Sequence, residues 1–160
     1  MPTHIDPQKY RDLMRHQAGA VTLISTGVHG NRTGLIATAV CSLTDTPPTL
    51  LICVNETASA HDLIAETNTF CVNLLCPSHK ELVGVFTGKT GLAGEARFDD
   101  ALWKTLKTGA PVLKDALASF DCHVTDTKKV STHTIYIGEV RDGASRDEEG
   151  PLVYFRGGFA

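Results

Sequence analysis

A chain of 160 residues, 42% hydrophobic and 21% charged, has the composition of one ordinary globular domain, taken here as 1–160. Its net charge of −3, without a long basic run, excludes nucleic acid and anionic membrane as expected partners but leaves anionic small molecules open. No apolar run reaches the roughly 18 residues of a membrane-spanning helix, and residues 1–7 lack the order of a secretory leader, so a cytoplasmic location is expected.

Residues 7–16 predict a short amphipathic helix, with Asp6 as N-cap, Pro7 at its first position and Gly19 ending it. A strand over 20–26 and a hairpin turn over 27–31 follow. Residues 33–43 read as one strand of small and hydroxyl side chains, stopped by Pro47 and Pro48. Residues 49–55 are almost wholly apolar, as in a strand covered on both faces. A helix is expected over 60–67 with Ser59 as N-cap, a strand over 69–75 and a helix over 77–86. Residues 87–97 form a glycine-rich loop containing Lys89, and 98–106, with Trp103, read as a short helix. Strands over 116–125 and 131–141 are joined by a turn at 126–129; a charged loop over 142–150, a strand over 151–155 and a tail complete the chain. About seven strands with short turns and few helices indicate a mainly β fold, a β-barrel with short peripheral helices.

The strand over 33–43 admits two readings. Small side chains leave its backbone bare, so a flat ligand could lie against its peptide groups; a packed barrel strand that binds nothing accounts for the same residues. Asn55 suits a turn at a strand end as well as a ligand contact. Ser59 and His61 open a helix, whose N-terminal N–H groups favour phosphate, while a plain N-cap explains Ser59 equally. Lys89 could add a positive charge or be a solvated surface lysine. The five cysteines lie mostly in apolar contexts without a Cys-x-x-Cys pair and read as reduced, buried thiols, Cys41 among them. Cys122 and His123 fall on opposite strand faces and cannot readily chelate one metal. There is no nucleophilic triad, metal cluster, P-loop or Rossmann fingerprint.

The ordered set Gly19-Ala20-Val21-Thr22, Gly34-Leu35-Ile36-Ala37-Thr38-Ala39-Val40-Cys41-Ser42-Leu43 with Pro47-Pro48, Asn55, Ser59-Ala60-His61, Phe70-Cys71-Val72-Asn73, Phe86-Thr87-Gly88, Arg97-Phe98, Trp103, His133-Thr134-Ile135-Tyr136 and Pro151-Leu152-Val153-Tyr154-Phe155 resembles the flavin reductase-like family. These are the small components of two-component flavin monooxygenases, and the resemblance runs from about Tyr10 to Phe159. It implies a split β-barrel binding FMN or FAD at a homodimer interface, with hydride transfer from NADH or NADPH. The reduced flavin would pass to a partner oxygenase, or stay bound and serve another acceptor such as a cobalt corrinoid; a non-enzymatic flavin-binding barrel is the third reading. The resemblance places Thr38, Ala39, Val40 and Cys41 beneath the ring with Ser42 nearby, and Cys53, Val54 and Asn55 against the flavin. It places His133 beside the nicotinamide. Ser59, His61 and Lys89 become candidates for the phosphate, and Phe98 and Tyr154, with Phe86, Phe155 and Phe159, for cavity walls.

Overall fold

A computed structural model describes residues 3–160, so Met1 and Pro2 of the leader reading lie outside the described residues. The chain forms α1 (Pro7–Met14), β1 (Gly19–Ala20), β2 (Thr22–Val28), β3 (Asn31–Ala37), β4 (Val40–Asp45), β5 (Pro48–Asn55), α2 (Ser59–Thr67) and β6 (Thr69–Leu74). It continues through α3 (Lys80–Phe86), β7 (Trp103–Thr105), β8 (Pro111–Leu113), β9 (Ala118–Val130), β10 (His133–Ser145), β11 (Val153–Phe155) and β12 (Gly158–Phe159). Short 3-10 turns cover Pro77–His79 and Gly94–Arg97.

Seven strands make one antiparallel sheet in the order β3-β2-β6-β9-β10-β5-β4. Its edges, β3 and β4, are consecutive in the chain, but no ladder joins them, so the sheet is not a closed barrel. Two small sheets flank it, β1-β11-β12 and β7-β8.

Both faces of β2 are buried. Ile24 packs with Ile52, Val54, Ile64, Phe70, Val72 and Tyr136, whereas Leu23 packs with Leu75, Phe86, Phe98, Trp103 and Leu113. Neighbouring strand residues point to opposite faces, so β2 serves two cores. Each fully buried large side chain is worth about 1.5–3 kcal/mol. At Gly138 of β10 a Cβ would lie 2.5 Å from the Phe70 ring, so only glycine lets Phe70 reach this depth.

Asp6 caps α1 as expected, its carboxylate accepting from the Gln8 and Lys9 N–H groups. Several expectations are corrected. The strand over 33–43 is two strands, because the chain stops pairing with β2 at Ala37 and starts pairing with β5 at Val40. A tight Val40 N–H to Thr38 carbonyl bond of 2.9 Å makes the corner. The expected strand over 20–26 is interrupted at Val21, where the chain leaves the small sheet for the large one. Residues 98–106 are not helical: an Asp99–Leu102 turn leads into β7, whose Trp103 pairs with Leu113 and packs 4.7 Å from the Phe98 ring.

The turn expected at 126–129 is strand, and the hairpin turns at Ser131-Thr132 with Ser131 at φ 52°. β10 runs on to Ser145, through the expected loop, and the tail adds β12. Ser59 is inside α2, capped at Ala58 without a side-chain bond. β5 is covered on one face only: Leu50, Ile52 and Val54 are buried, while Leu51, Cys53 and Asn55 are half-buried. Cys71, Cys76 and Cys122 are buried thiols, but Cys41 is exposed and Cys53 half-buried. Burial pushes the Cys122 thiol up to about 12.

Candidate functional site

The corner between β3 and β4 is the floor of the site. Thr38 and Ala39 belong to neither strand, and their carbonyls are taken by Val40 and Cys53 at 2.9 and 3.1 Å. Their own N–H groups meet no acceptor among the described residues, and both residues are exposed. Two adjacent free donors on bare backbone suit the polar edge of a planar ligand.

A hollow of about 360 Å³ opens over this corner, lined by Val21, Leu35, Ala37, Thr38, Ala39, Cys53, Asn55, His133, Tyr154 and others. That is within the usual size range of small-molecule sites. Sheet register explains the gathering. His133 of β10 lies directly opposite Asn55 of β5, and Cys53 is tied to Ala39. Tyr154 arrives on β11, whose pairing partner Gly19 approaches Thr38 so closely that a Cβ there would lie 3.1 Å from Thr38 Cβ. Asn55 Oδ1 accepts from the Thr57 N–H and hydroxyl, both at 2.9 Å, which fixes the amide. The Thr132 hydroxyl lies 2.9 Å from His133 Nδ1, and Nε2 has no hydrogen-bond partner among the described residues.

Towards the start of β3 lies a second polar cluster. Thr33 is buried, two residues before Leu35 on the same strand face. Its hydroxyl is 2.6 Å from the Ser59 hydroxyl at the start of α2, and Arg97 donates to it at 2.7 Å. The Arg97 guanidinium also lies 4.9 Å from the Phe86 ring centre. Burial pulls it below the usual arginine range, and no carboxylate offsets this among the described residues. Its neighbour Arg32 differs: Glu95 and Asp100 pair with it, and its hydrogen bond to Glu95 chiefly holds it above the usual range. The positive charge left for an exogenous anion here is therefore that of Arg97.

The structure gathers Thr38, Ala39, Cys53, Asn55, His133 and Tyr154 in one hollow, with Phe159 beside Tyr154 at 5.5 Å between rings. Val40 adjoins it, but Cys41 and Ser42 continue along the exposed edge strand β4. Val54 and Phe98 are core residues, as is Phe86, and Phe155 is exposed beside the Arg156 guanidinium. His61 braces α2 against β10 through Thr134 (2.7 Å), and its other nitrogen meets Asp62 (2.8 Å). Lys89 is exposed on its loop, outside the hollow. Sequence reasoning passed over Arg97 as a site residue, although it stands in the Arg97-Phe98 pair; an arginine just before a buried aromatic was the available signal.

The profile of a family described as flavin reductase like domain matches residues 14–160. FMN reductase (NADH) RutF of Yersinia enterocolitica is 45% identical over 151 residues, covering 94% of this chain and 82% of that protein. The solved flavin reductase PheA2 superposes with a TM-score of 0.86 at 31% identity, over 98% of this chain and 97% of that one. BorF, the flavin reductase component of a bacterial two-component tryptophan halogenase, gives 0.88 at 26% identity, over 97% of each chain.

Proposed function

The chain belongs to the flavin reductase-like family, and from that premise we propose that it uses NADH to reduce FMN in the hollow over Thr38 and Ala39. The observation that carries this reading is the convergence of Thr38, Ala39, Cys53, Asn55, His133 and Tyr154 on one cavity. FMN, when bound, supplies the redox chemistry by accepting a hydride. The chain's own task is to bind, orient and exclude water. The Thr38 and Ala39 N–H groups donate to the polar edge of the ring and favour charge that develops there. Val21, Leu35 and Tyr154 supply apolar wall. His133 offers Nε2 at the rim to a nicotinamide carboxamide.

Thr33, Ser59 and Arg97 hold the FMN phosphate at the N-terminus of α2, where unpaired N–H groups and the helix dipole add to the arginine. The working protein is a dimer in a split-barrel arrangement. Leu43, 52% exposed, and the half-buried Leu51, Ile135 and Ile137 leave an apolar face on β4, β5 and β10 that a second copy would cover. Reduced flavin would leave for a partner oxygenase in the cytoplasm.

The test is direct. FMN added to purified protein shifts its visible spectrum on binding, anaerobic NADH bleaches it, and sedimentation gives twice the 17.2 kDa chain mass. A protein that ignores FMN, or binds it but is not bleached by NADH, refutes the reading.

A second prediction isolates the phosphate cluster. Arg97→Met weakens FMN binding by about 10- to 100-fold, the usual value of a hydrogen bond to a charged group. Riboflavin, which lacks the phosphate, binds wild type and variant within about twofold. Equal weakening of both ligands would place Arg97 in support of the fold instead.

A further inference from the structure

The face of α1 turned towards the site has no role in the chemistry above. α1 buries none of its residues, and between it and the Thr38–Ala39 corner lies a second hollow of about 350 Å³. Tyr10, Arg11, Met14 and Arg15 form one side of it, and Thr38, Ala39 and Tyr154 the other. Those last three also line the hollow that takes the ring, so the two share a wall. Beyond Arg15 the surface continues to Arg156 and His16.

Three arginines thus flank one trough in a chain of net charge −3. Among the described residues none of the three lies within 4.0 Å of a carboxylate. Arg11 is held by the Gln8 amide oxygen at 2.8 Å, and Arg15 by the Arg156 carbonyl at 2.9 Å. The one acid in the rim, Asp12, accepts from Gln8 at 2.9 Å. Arginines fixed by neutral acceptors keep their charge available, and their planar forks match phosphate oxygens. Tyr10, 54% exposed, lines the same space. An aromatic face beside unpaired guanidinium groups is the chemistry that recognises an adenosine diphosphate group.

We propose that this trough takes the adenosine diphosphate half of the dinucleotide hydride donor, its diphosphate against Arg11 and Arg15 and its adenine against Tyr10. The inference rests on the reading that the neighbouring hollow takes the flavin ring and the nicotinamide. Occupation from the shared wall leaves the nicotinamide over Thr38 and Ala39. The flavin contributes no competing diphosphate when it is FMN.

The experiment compares wild type with the Arg11→Gln/Arg15→Gln variant, FMN being saturating. Arg11 on α1 and Arg15 at its C-cap are both exposed, so folding is undisturbed, which circular dichroism checks. NADH is set against reduced nicotinamide riboside, which lacks the whole adenosine diphosphate portion. The variant raises KM for NADH at least tenfold and leaves kcat within about twofold, while its kcat/KM for the riboside stays within about twofold of wild type. ADP inhibits wild type competitively against NADH and inhibits the variant at least tenfold more weakly.

An unchanged KM for NADH overturns the proposal, and so does an equal fall with both donors, which would mean that the arginines shape the ring site. Weaker binding of FAD with NADH kinetics unaltered assigns the trough to a flavin's adenosine diphosphate half and equally overturns it. If wild type oxidises neither donor in the presence of FMN, the reductase reading itself fails, a result distinct from these.

Discussion

His133→Ala lowers kcat/KM for NADH about a hundredfold, near 2.7 kcal/mol, and changes the FMN dissociation constant less than about threefold. The asymmetry follows from where the imidazole sits. His133 is exposed at the rim, opposite Asn55, whereas the proposed flavin contacts run through the backbone of Thr38 and Ala39 and through the Thr33–Ser59–Arg97 cluster. Removing an exposed side chain at a strand start leaves stability within about 0.5 kcal/mol. Thr132 sharpens the test. Its hydroxyl engages Nδ1 at 2.9 Å, so Nε2 is the nitrogen free to meet a substrate. His133→Gln keeps a donor of similar reach and recovers part of the lost rate. Stopped-flow reduction of bound FMN by NADH gives the rate, and fluorescence titration gives the affinity. If the two fall by the same factor, His133 is structural.

The mainly β class, the capped first helix and the strand over 69–75 were legible because their signals are local. Asp6 before Pro7 is a strong local helix start, and Thr46-Pro47 turns the chain out of β4, although Pro48 already pairs with Asp45 as the first residue of β5. The misplacements have non-local causes. β9 is exposed and polar from Thr125 to Lys129, so Asp126-Thr127-Lys128-Lys129 has a turn's composition, yet pairing with β10 carries it on as strand to Val130. Trp103 is strand because Leu113 lies beside it and Phe98 beneath it, neither of which a helix period reveals. The corner at Thr38-Ala39 arises because the chain exchanges one pairing partner for another.

The site divides the same way. Thr38, Ala39, Cys53, Asn55, His133 and Tyr154 are candidates from the sequence that occupy one hollow, a gathering that depends on the β5–β10 register. Arg97 went unnamed because its significance is relative. It matters only once Arg32 is seen to be neutralised by Glu95 and Asp100 while Arg97 is not. The α1 arginines carry no anion signature in sequence, since helical arginines are ordinarily solvated.

Asn73→Leu is expected to be the most destabilising single change, costing about 4 kcal/mol and lowering Tm by about 10 °C. Asn73 is fully buried, and its amide joins three parts of the fold. Nδ2 donates to the Leu23 carbonyl on β2 at 2.8 Å and to the Ser25 hydroxyl at 3.0 Å. Oδ1 accepts from the Leu113 N–H on β8 at 2.9 Å and from the Ser119 hydroxyl on β9 at 3.0 Å. Leucine has the same branched set of side-chain heavy atoms, but its methyl groups are bulkier and add some overpacking. The larger cost comes from the groups left behind, each unsatisfied buried donor or acceptor counting for about 1–3 kcal/mol. Hydroxyls can rotate to other partners, but the Leu113 N–H cannot. Its loss loosens β8, and with it the β7 strand that holds Trp103 against Phe98, next to Arg97. The variant therefore loses FMN affinity on warming before it unfolds globally, although no residue lining the ring hollow has changed. Thermal unfolding followed by circular dichroism, with FMN titrations at two temperatures, measures both effects. A Tm within about 3 °C of wild type would mean that water has replaced the amide and that the hub is not what fixes β8.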